Sequence, residues 1–285
     1  MDFSLTPFEA VADRVYVAVA EPATVNVGLV VGTTGALLVD TGSSPAQGRA
    51  IREAAASVLG EAPLTDVVVT HAHFDHCYGL SAFAGPRTWG HRNLPEAREH
   101  ERLAEELAEL GLTRGDLALP ARTFSLAATI DLGDCHAELV HFGPGHTTAD
   151  VAVHVPARGV VFAGDLLESA PFAWAGPDSS LADWPRTLDG TLGTLRRDTV
   201  VVPGHGPAMD RAAAFIQRAE LAWLEATLVA LWDAGTAVEH VWDSTSDWPL
   251  PRAQAEEIAA VRFAQYERAG RPRRRPLPLL RPTHS

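Results

Sequence analysis

The chain of 285 residues is long enough for one large α/β domain with a buried core, or for two small domains. Its hydrophobic (46%) and charged (21%) contents are those of a soluble globular enzyme and exclude a disordered chain. The formal net charge of −13 disfavours nucleic-acid and anionic membrane partners. The sequence contains no lysine, which excludes a Schiff-base mechanism.

Cysteine usage and the first residues bear on the compartment. Cys77 and Cys135 are too few for a disulfide framework. The beginning of the sequence shows neither a basic segment followed by an apolar run nor a membrane span. We therefore expect a cytoplasmic protein that acts on a small molecule, without nucleic-acid or membrane partners; a homodimer is compatible with the sequence.

Strand and turn patterns occupy most of the first 70 residues. Alternating or β-branched apolar segments predict strands over 14–19, 25–31, 36–39 and 64–70. Helical spacing over 44–59 predicts a helix that stops at Gly60. A short helix and a strand are expected after residue 76, and the Glu-, Ala- and Leu-rich segment 95–110 predicts an exposed acidic helix.

A second set of strands and helices follows. Strands are predicted over 122–124, 129–132, 137–141, 151–155, 159–162 and 199–202. Helical turns are predicted over 181–195, broken by Gly190 and Gly193, and long helices over 208–232 and 252–269. Two successive halves of strands followed by helices suit a sandwich of two sheets flanked by helices.

Four potential metal ligands lie within six residues, where a predicted buried strand gives way to a loop. They are His71, His73, Asp75 and His76. Their spacing lets an extended segment that turns into a loop aim all four side chains into one pocket. Imidazole and carboxylate groups are ligands that zinc takes at ~2.0–2.2 Å. The segment therefore predicts a metal site.

Three further candidates each follow a predicted buried strand. His146 lies in the glycine-flanked segment Gly-Pro-Gly-His-Thr, Asp165 follows Phe-Ala-Gly, and His205 follows Val-Pro-Gly. Functional groups of layered α/β folds collect on loops at strand ends. We expect these three side chains to join the first four.

The ordered segments His-x-His-x-Asp-His, Gly-His-Thr, Gly-Asp and Gly-His-Gly resemble the signature of the metallo-β-lactamase superfamily over residues 15–206. The first part of that signature is the aspartate of Val-Asp-Thr-Gly, here Asp40. The resemblance implies an α/β fold, a four-layer αββα sandwich of two mixed β-sheets flanked by helices. Residues 1–208 would form this domain, residues 209–270 a helical extension packed on it, and residues 271–285 a basic, proline-rich tail.

The resemblance also implies two divalent metal ions, with zinc favoured and iron or manganese as alternatives. His71, His73 and His146 would hold the first ion, Asp75, His76 and His205 the second, and Asp165 would bridge them. A hydroxide shared by the ions would attack the substrate carbonyl. Asp75 and Asp165 are the predicted catalytic carboxylates, because they offset part of the metal charge. Asp40 either orients the metal loop or merely initiates a turn.

Other residues receive structural interpretations. Cys77 is expected to be a small buried residue rather than a ligand, and the remaining histidines, which have no spacing partner, to be structural or solvated. The segment 167–184, with Phe172, Trp174 and Trp184, either walls an apolar substrate pocket or packs on the second sheet.

Within the superfamily, the di-iron oxidases have Glu at the position of His73, so this histidine disfavours an oxidase of that type. Asp165 and the missing signal peptide disfavour a dedicated β-lactamase, and the net charge disfavours a nuclease. The glyoxalase II, lactonase and polyketide thioesterase branches remain, which predicts hydrolysis of an ester-type carbonyl, first a thioester and next a lactone. The alternatives are a mononuclear iron dioxygenase of the persulfide type, a β-lactam hydrolase and a metal-stabilised binding protein without turnover.

Overall fold

A computed structural model of the chain describes residues 3–100, 102–169 and 173–273. Its strands are β1 (Ser4–Leu5), β2 (Glu9–Ala12), β3 (Val15–Glu21), β4 (Val25–Val31), β5 (Ala36–Val39), β6 (Leu64–Val68), β7 (Arg87–His91), β8 (Arg122–Phe124), β9 (Ala127–Asp131), β10 (His136–Val140), β11 (Ala152–Val155), β12 (Val160–Gly164) and β13 (Val200–Pro203). Its α-helices are α1 (Pro45–Leu59), α2 (Phe74–Cys77), α3 (Leu94–Ala97), α4 (Leu103–Leu110), α5 (Trp184–Gly193), α6 (Arg211–Ala234) and α7 (Arg252–Arg268).

The strands form two mixed sheets. The first has the order β1-β3-β4-β5-β6-β7-β8, with β2 also paired to β3. Its pairs are antiparallel up to β5 and parallel from β5 to β8. The second sheet has the order β13-β12-β11-β10-β9, with one parallel pair between β12 and β13. Parallel pairs require crossovers, and α1 and α5 lie on the two connections that link β5 to β6 and β12 to β13.

Three apolar clusters separate four layers. The central cluster lies between the facing surfaces of the two sheets and includes Leu37, Leu139 and Phe162. A second cluster packs the other face of the first sheet against α1 and α4. A third packs the other face of the second sheet against α5, α6 and α7. The predicted αββα sandwich of two mixed sheets flanked by helices is therefore confirmed.

Two predicted helices differ from the observed ones. The segment 181–195 was expected to break at Gly190, but α5 continues through it. A Cβ atom at position 190 would lie 2.4 Å from the Phe142 ring, so this glycine permits close packing rather than a break. The segment 95–110 contains two short helices, α3 and α4, and α4 buries Leu103 and Leu107 instead of being wholly exposed.

The long helices after residue 208 pack on the second sheet. α6 begins at the capping residue Asp210, whose carboxylate accepts from Ala213 N. Trp232 of α6 and Phe263 of α7 belong to the third apolar cluster. The division of the chain at residue 208 stays a prediction, and the predicted tail lies outside the described residues beyond Arg273. None of the described helices combines the length and apolar character needed to cross a bilayer.

Candidate metal centre

All seven predicted ligands lie at one edge of the sandwich. His71 follows β6, and Asp75 and His76 lie in α2 directly after it. The loops that carry the last three ligands follow β10, β12 and β13, and these strands run in the same direction in the second sheet. Their carboxyl ends therefore share one edge, which brings His146, Asp165 and His205 together.

The two sheets are joined where the ligand loops meet. Val25 and His205 form an isolated antiparallel bridge between β4 and the loop after β13. Asn26 is buried, and its Nδ2 donates to Pro203 O at 2.9 Å and to Gly206 O at 2.7 Å. These contacts fix the position of the loop that carries His205 relative to the first sheet.

The ligand atoms form two groups, within each of which the candidate ligand atoms lie within 4.8 Å of one another. We call His71, His73 and His146 the first ligand group. Their facing nitrogens are close: His73 Nδ1 lies 3.2 Å from His71 Nε2 and 2.8 Å from His146 Nε2.

The second ligand group comprises Asp75, His76 and His205. His205 Nε2 lies 3.4 Å from both His76 Nε2 and Asp75 Oδ2. Asp165 stands between the groups. Its Oδ2 lies 3.4 Å from His146 Nε2 and 3.4 Å from His205 Nε2, and its Oδ1 lies 3.2 Å from His76 Nε2.

Asp40 orients ligands of both groups from the interior. It is buried at the end of β5 with a left-handed φ of 65°, and its Oδ2 accepts from His76 Nδ1 at 2.9 Å. Oδ2 also accepts from Thr70 Oγ1 at 2.8 Å, and Oδ1 from Thr70 N at 2.7 Å. Thr70 Oγ1 in turn accepts from His71 Nδ1 at 3.1 Å. Of the two interpretations of Asp40, these contacts favour the orienting one.

The loop 173–180 orients the other two histidines. His73 Nε2 donates to Asp178 Oδ2 at 3.0 Å, and His146 Nδ1 donates to Trp174 O at 3.1 Å. Ser179 Oγ donates to His146 O at 2.7 Å. Sequence reasoning missed Asp178, because it lies 105 residues from His73 in a segment without a recognisable motif.

These hydrogen bonds use the ring nitrogens that point away from the cluster, the outer nitrogens, and leave the inner nitrogens facing the other ligands. Four histidines donate from the outer nitrogen, so each ring presents an acceptor to the cluster once its inner nitrogen is deprotonated. Lone pairs at these separations repel one another and the carboxylate unless a cation lies between them. Asp165 Oδ1 is buried and has no hydrogen-bond partner among the described residues. Such an atom set fits divalent metal ions.

The loop after β13 requires a glycine beside Asp165. A Cβ atom at position 204 would lie 1.7 Å from Asp165 Oδ1. Gly204 N also donates to Gly164 O at 2.8 Å, which holds the two loops against each other. The glycine of Gly-His-Gly thus has a steric role: it leaves room for the carboxylate between the groups.

The metal-free groups differ in the protons they hold. Burial lowers the pKa of His146 to about 3 and holds the pKa of His71 well below its ordinary value. Burial also opposes protonation of His76 and His205, but the surrounding carboxylates, Asp165 foremost and Asp75 with it, together outweigh burial. They raise the pKa of His76 well above its ordinary value and the pKa of His205 to about 9. The second group therefore has two histidines with raised pKa values. The first group has one, His73, where burial opposes protonation but Asp178 raises the pKa.

A cavity of about 810 Å³ opens onto the ligands. Its apolar wall consists of Phe74, Trp174, Pro177 and Val261. Glu168 also lines it; its Oε1 accepts from Trp174 N at 3.1 Å, and burial together with Asp165 raises its pKa to about 8. The volume suits a small organic substrate. Sequence reasoning missed Glu168, for which no motif gives a signal.

The aromatic residues of the segment 167–184 divide between the cavity and the core, and Cys77 lies in the core. Trp174 lines the cavity, whereas Trp184 is fully buried and donates from Nε1 to Leu166 O at 3.0 Å. Phe172 lies outside the described residues. Cys77 is buried with its Sγ 3.2 Å from Ala72 O, as expected of a structural residue.

Two histidines without a spacing partner in the sequence do meet in space. The rings of His91 and His141 stack at 3.9 Å. His91 Nε2 hydrogen-bonds Ser125 O and His141 Nδ1 hydrogen-bonds Asp150 O, which suits the structural role expected of both.

Known proteins resemble this chain in sequence and fold. Metallo-beta-lactamase type 2 of Bacillus sp. (strain 170) is 27% identical over 150 residues, 52% of this chain and 54% of that protein. Acyl-coenzyme A thioesterase MBLAC2 of Homo sapiens is 28% identical over 209 residues, 63% of this chain and 72% of that protein. The chain spans about half the length of the first curated relatives that it matches.

The solved structure of a metallo-beta-lactamase from Pontibacter korlensis superposes with a TM-score of 0.60 at 22% identity, covering 78% of this chain and 99% of that chain. This likeness concerns the fold alone. A family model described as the metallo-beta-lactamase superfamily matches residues 20–205. The protein therefore belongs to the metallo-beta-lactamase superfamily.

Proposed function

We propose that the protein is a dinuclear metal-dependent hydrolase in which water attacks an ester-type carbonyl. A thioester is the first choice of substrate and a lactone the second. The observation that carries the proposal is the position of Asp165 between two ligand groups, within 3.4 Å of nitrogens of both. One carboxylate between two sets of ligands suits a pair of ions that share a water.

The histidines and the aspartates of the site would have different chemical roles. The neutral imidazoles donate lone pairs without cancelling the positive charge, whereas Asp75 and Asp165 supply the negative charge that keeps two cations close. When bound, the ions would lower the pKa of a shared water and polarise the substrate carbonyl. Asp40 and Asp178 hold the rings in position, so that little reorganisation is needed during the reaction.

The cavity supports an acyl substrate. Its apolar wall, with Phe74, Trp174 and Val261, would cover an acyl chain beside the ligands. The likeness to an acyl-coenzyme A thioesterase supports the thioester as first choice. We also propose zinc as the native metal, because imidazole and carboxylate ligands suit it, and a cytoplasmic small-molecule enzyme without nucleic-acid or membrane partners.

The test is a substrate panel on the full chain loaded with zinc, manganese or iron. Thioester, lactone, β-lactam and phosphodiester substrates are compared, with His71→Ala as the control variant. We expect zinc-dependent turnover of thioesters or lactones that the substitution abolishes. Turnover unaffected by the substitution would contradict the proposed mechanism.

Two other results of the same panel would replace the proposal. Hydrolysis confined to β-lactams would assign the alternative lactamase function, in line with the lactamase relative. One iron per chain together with oxygen uptake on a persulfide would assign the mononuclear dioxygenase. Bound metal without turnover of any substrate would indicate a binding protein.

A further inference from the structure

We propose that the C-terminal helix α7 positions the first ligand group through Gln265, and that Asp178 is the positioning residue for His73. The loop 173–180 transmits this support. The inference rests on the proposed metal site. It goes beyond that site by making the metal affinity of one ligand group depend on a helix that carries none of the ligands.

The first step joins α7 to the loop. Gln265 Nε2 donates to Pro177 O at 3.1 Å and to Ser179 O at 3.0 Å. The two hydrogen bonds hold the backbone carbonyls on either side of Asp178. No helix or strand runs through residues 173–180, so no regular backbone ladder holds this loop. Gln265 provides contacts that such a ladder would otherwise supply.

The second step fixes Gln265 itself. Its Oε1 accepts from Arg262 Nη1 at 2.8 Å, which leaves Nε2 free to donate to the loop. Arg262 is held by a two-bond ion pair with Glu225 of α6, at 2.9 Å and 2.6 Å. Tyr266 OH donates to the same carboxylate at 3.2 Å. The amide orientation therefore follows from a half-buried charged network between the two long helices.

The third step leads from the loop to the ligands. Asp178 accepts the outer N–H of His73, and this bond fixes the tautomer that leaves Nδ1 facing the first group. Ser179 Oγ accepts from Gly176 N at 3.0 Å and donates to His146 O at 2.7 Å. Trp174 O accepts from His146 Nδ1. Two of the three histidines of the first group thus depend on this loop for their orientation.

Among the described residues, no hydrogen bond joins the loop 173–180 to Asp75, His76 or His205. His76 is held by Asp40 at a strand end, and the loop of His205 by Asn26 of β4. Both supports belong to the first sheet, and Ser169 N in the loop after β12 also donates to His205 O at 3.0 Å. Loosening the α7 contact should therefore weaken metal binding at the first group and leave the second group unchanged.

The experiment measures the two affinities separately on the full chain, with cobalt(II) as the probe metal. His205→Ala isolates the first group, and His146→Ala isolates the second. Asp178→Ala, Asp178→Asn and Gln265→Met are placed in each background; methionine keeps the length of glutamine but has no donor. The control is Asp189→Asn, which removes an exposed ion pair with Arg218. Cobalt absorption bands and competition with a chelator give each affinity.

In the His205→Ala background we expect Asp178→Ala to weaken cobalt binding by about 10–100-fold, and Gln265→Met by less. Asp178→Asn should recover part of the loss, because its amide oxygen can still accept from His73. In the His146→Ala background, and in the Asp189→Asn control, the affinity should change by less than about twofold. The thermal unfolding of the metal-free variants should match that of the parent.

Equal weakening in both backgrounds, or none in either, would overturn the inference. An unfolding temperature that falls together with the affinity would assign Gln265 a merely structural role, which also overturns it. A parent protein that binds a single cobalt ion would contradict the proposed dinuclear function instead, so the two failures are distinguishable.

Discussion

Two carboxylate–histidine pairs orient candidate metal ligands, and they are built differently. Asp40 and His76 are both buried, with side-chain exposures of 2% and 0%, and lie at the end of β5 and in α2. Asp178 and His73 are more exposed, at 27% and 19%, and the aspartate lies in a loop. A carboxylate that orients a histidine thus lies in the core at the second ligand group and in the loop 173–180 at the first.

The difference separates stability from metal binding. A buried carboxylate that accepts three hydrogen bonds contributes to folding whether or not a metal is present. A carboxylate in a loop at the cavity edge contributes mainly to ligand orientation. Substitutions on the two sides should therefore give different combinations of lost stability and lost metal.

The largest effect is expected for Asp165→Asn. A neutral amide removes the negative charge between the groups and reduces the ability to hold two cations. We expect the metal content to fall below two ions per chain and turnover to fall at least about a hundredfold. Elemental analysis and steady-state kinetics measure both quantities. Unchanged metal content would contradict the bridging role.

The comparison is tested most directly by Asp40→Ala against Asp178→Ala. Removal of Asp40 leaves the donors of Thr70 and His76 buried without an acceptor, so we expect the unfolding free energy of the metal-free protein to fall by about 2–4 kcal/mol. Removal of Asp178 should cost less than about 1 kcal/mol. Denaturant unfolding measures both. Equal losses would show that the two pairs are not built differently.

Metal affinity should depend on pH more steeply at the second group. Raised pKa values at His76 and His205 mean that a metal must displace protons from two histidines there. In the first group only His73 has a raised pKa, and the pKa values of His71 and His146 are lowered. Affinity should therefore fall as the pH is lowered from about 8 to about 6, by up to roughly tenfold per unit for each displaced proton. Chelator competition at several pH values gives both slopes. A steeper slope for the first group would contradict this assignment.

The smallest effect on metal binding is expected for Trp174→Ala. The residue accepts the hydrogen bond of His146 through its backbone carbonyl, which the substitution keeps. Its ring lines the cavity and meets the rings of His73 and His146 edge-on, at centroid distances of 5.9 and 6.3 Å. We expect KM for acyl thioesters to rise severalfold and the metal content to stay the same. A loss of metal would show that the ring, not the carbonyl, supports the histidine.

Sequence and structure agree where the signal is local. The strands, the glycine-terminated helix α1 and the candidate ligands at strand ends follow from apolar patterns and turn residues close in the chain, so the meeting of His71, Asp165 and His205 could be predicted. The support of these ligands could not. Asp178 meets His73, and Gln265 meets the loop, through contacts between segments about 90 to 105 residues apart. These contacts depend on the packing of distant segments, which no local sequence pattern encodes.

The central claim concerns two ions joined by one carboxylate. Anomalous diffraction at the zinc absorption edge, from crystals of the zinc-loaded full chain, locates each ion independently of activity. We expect two peaks, one among His71, His73 and His146 and one among Asp75, His76 and His205, with Asp165 between them. A single peak, or a second ion away from Asp165, would contradict the account.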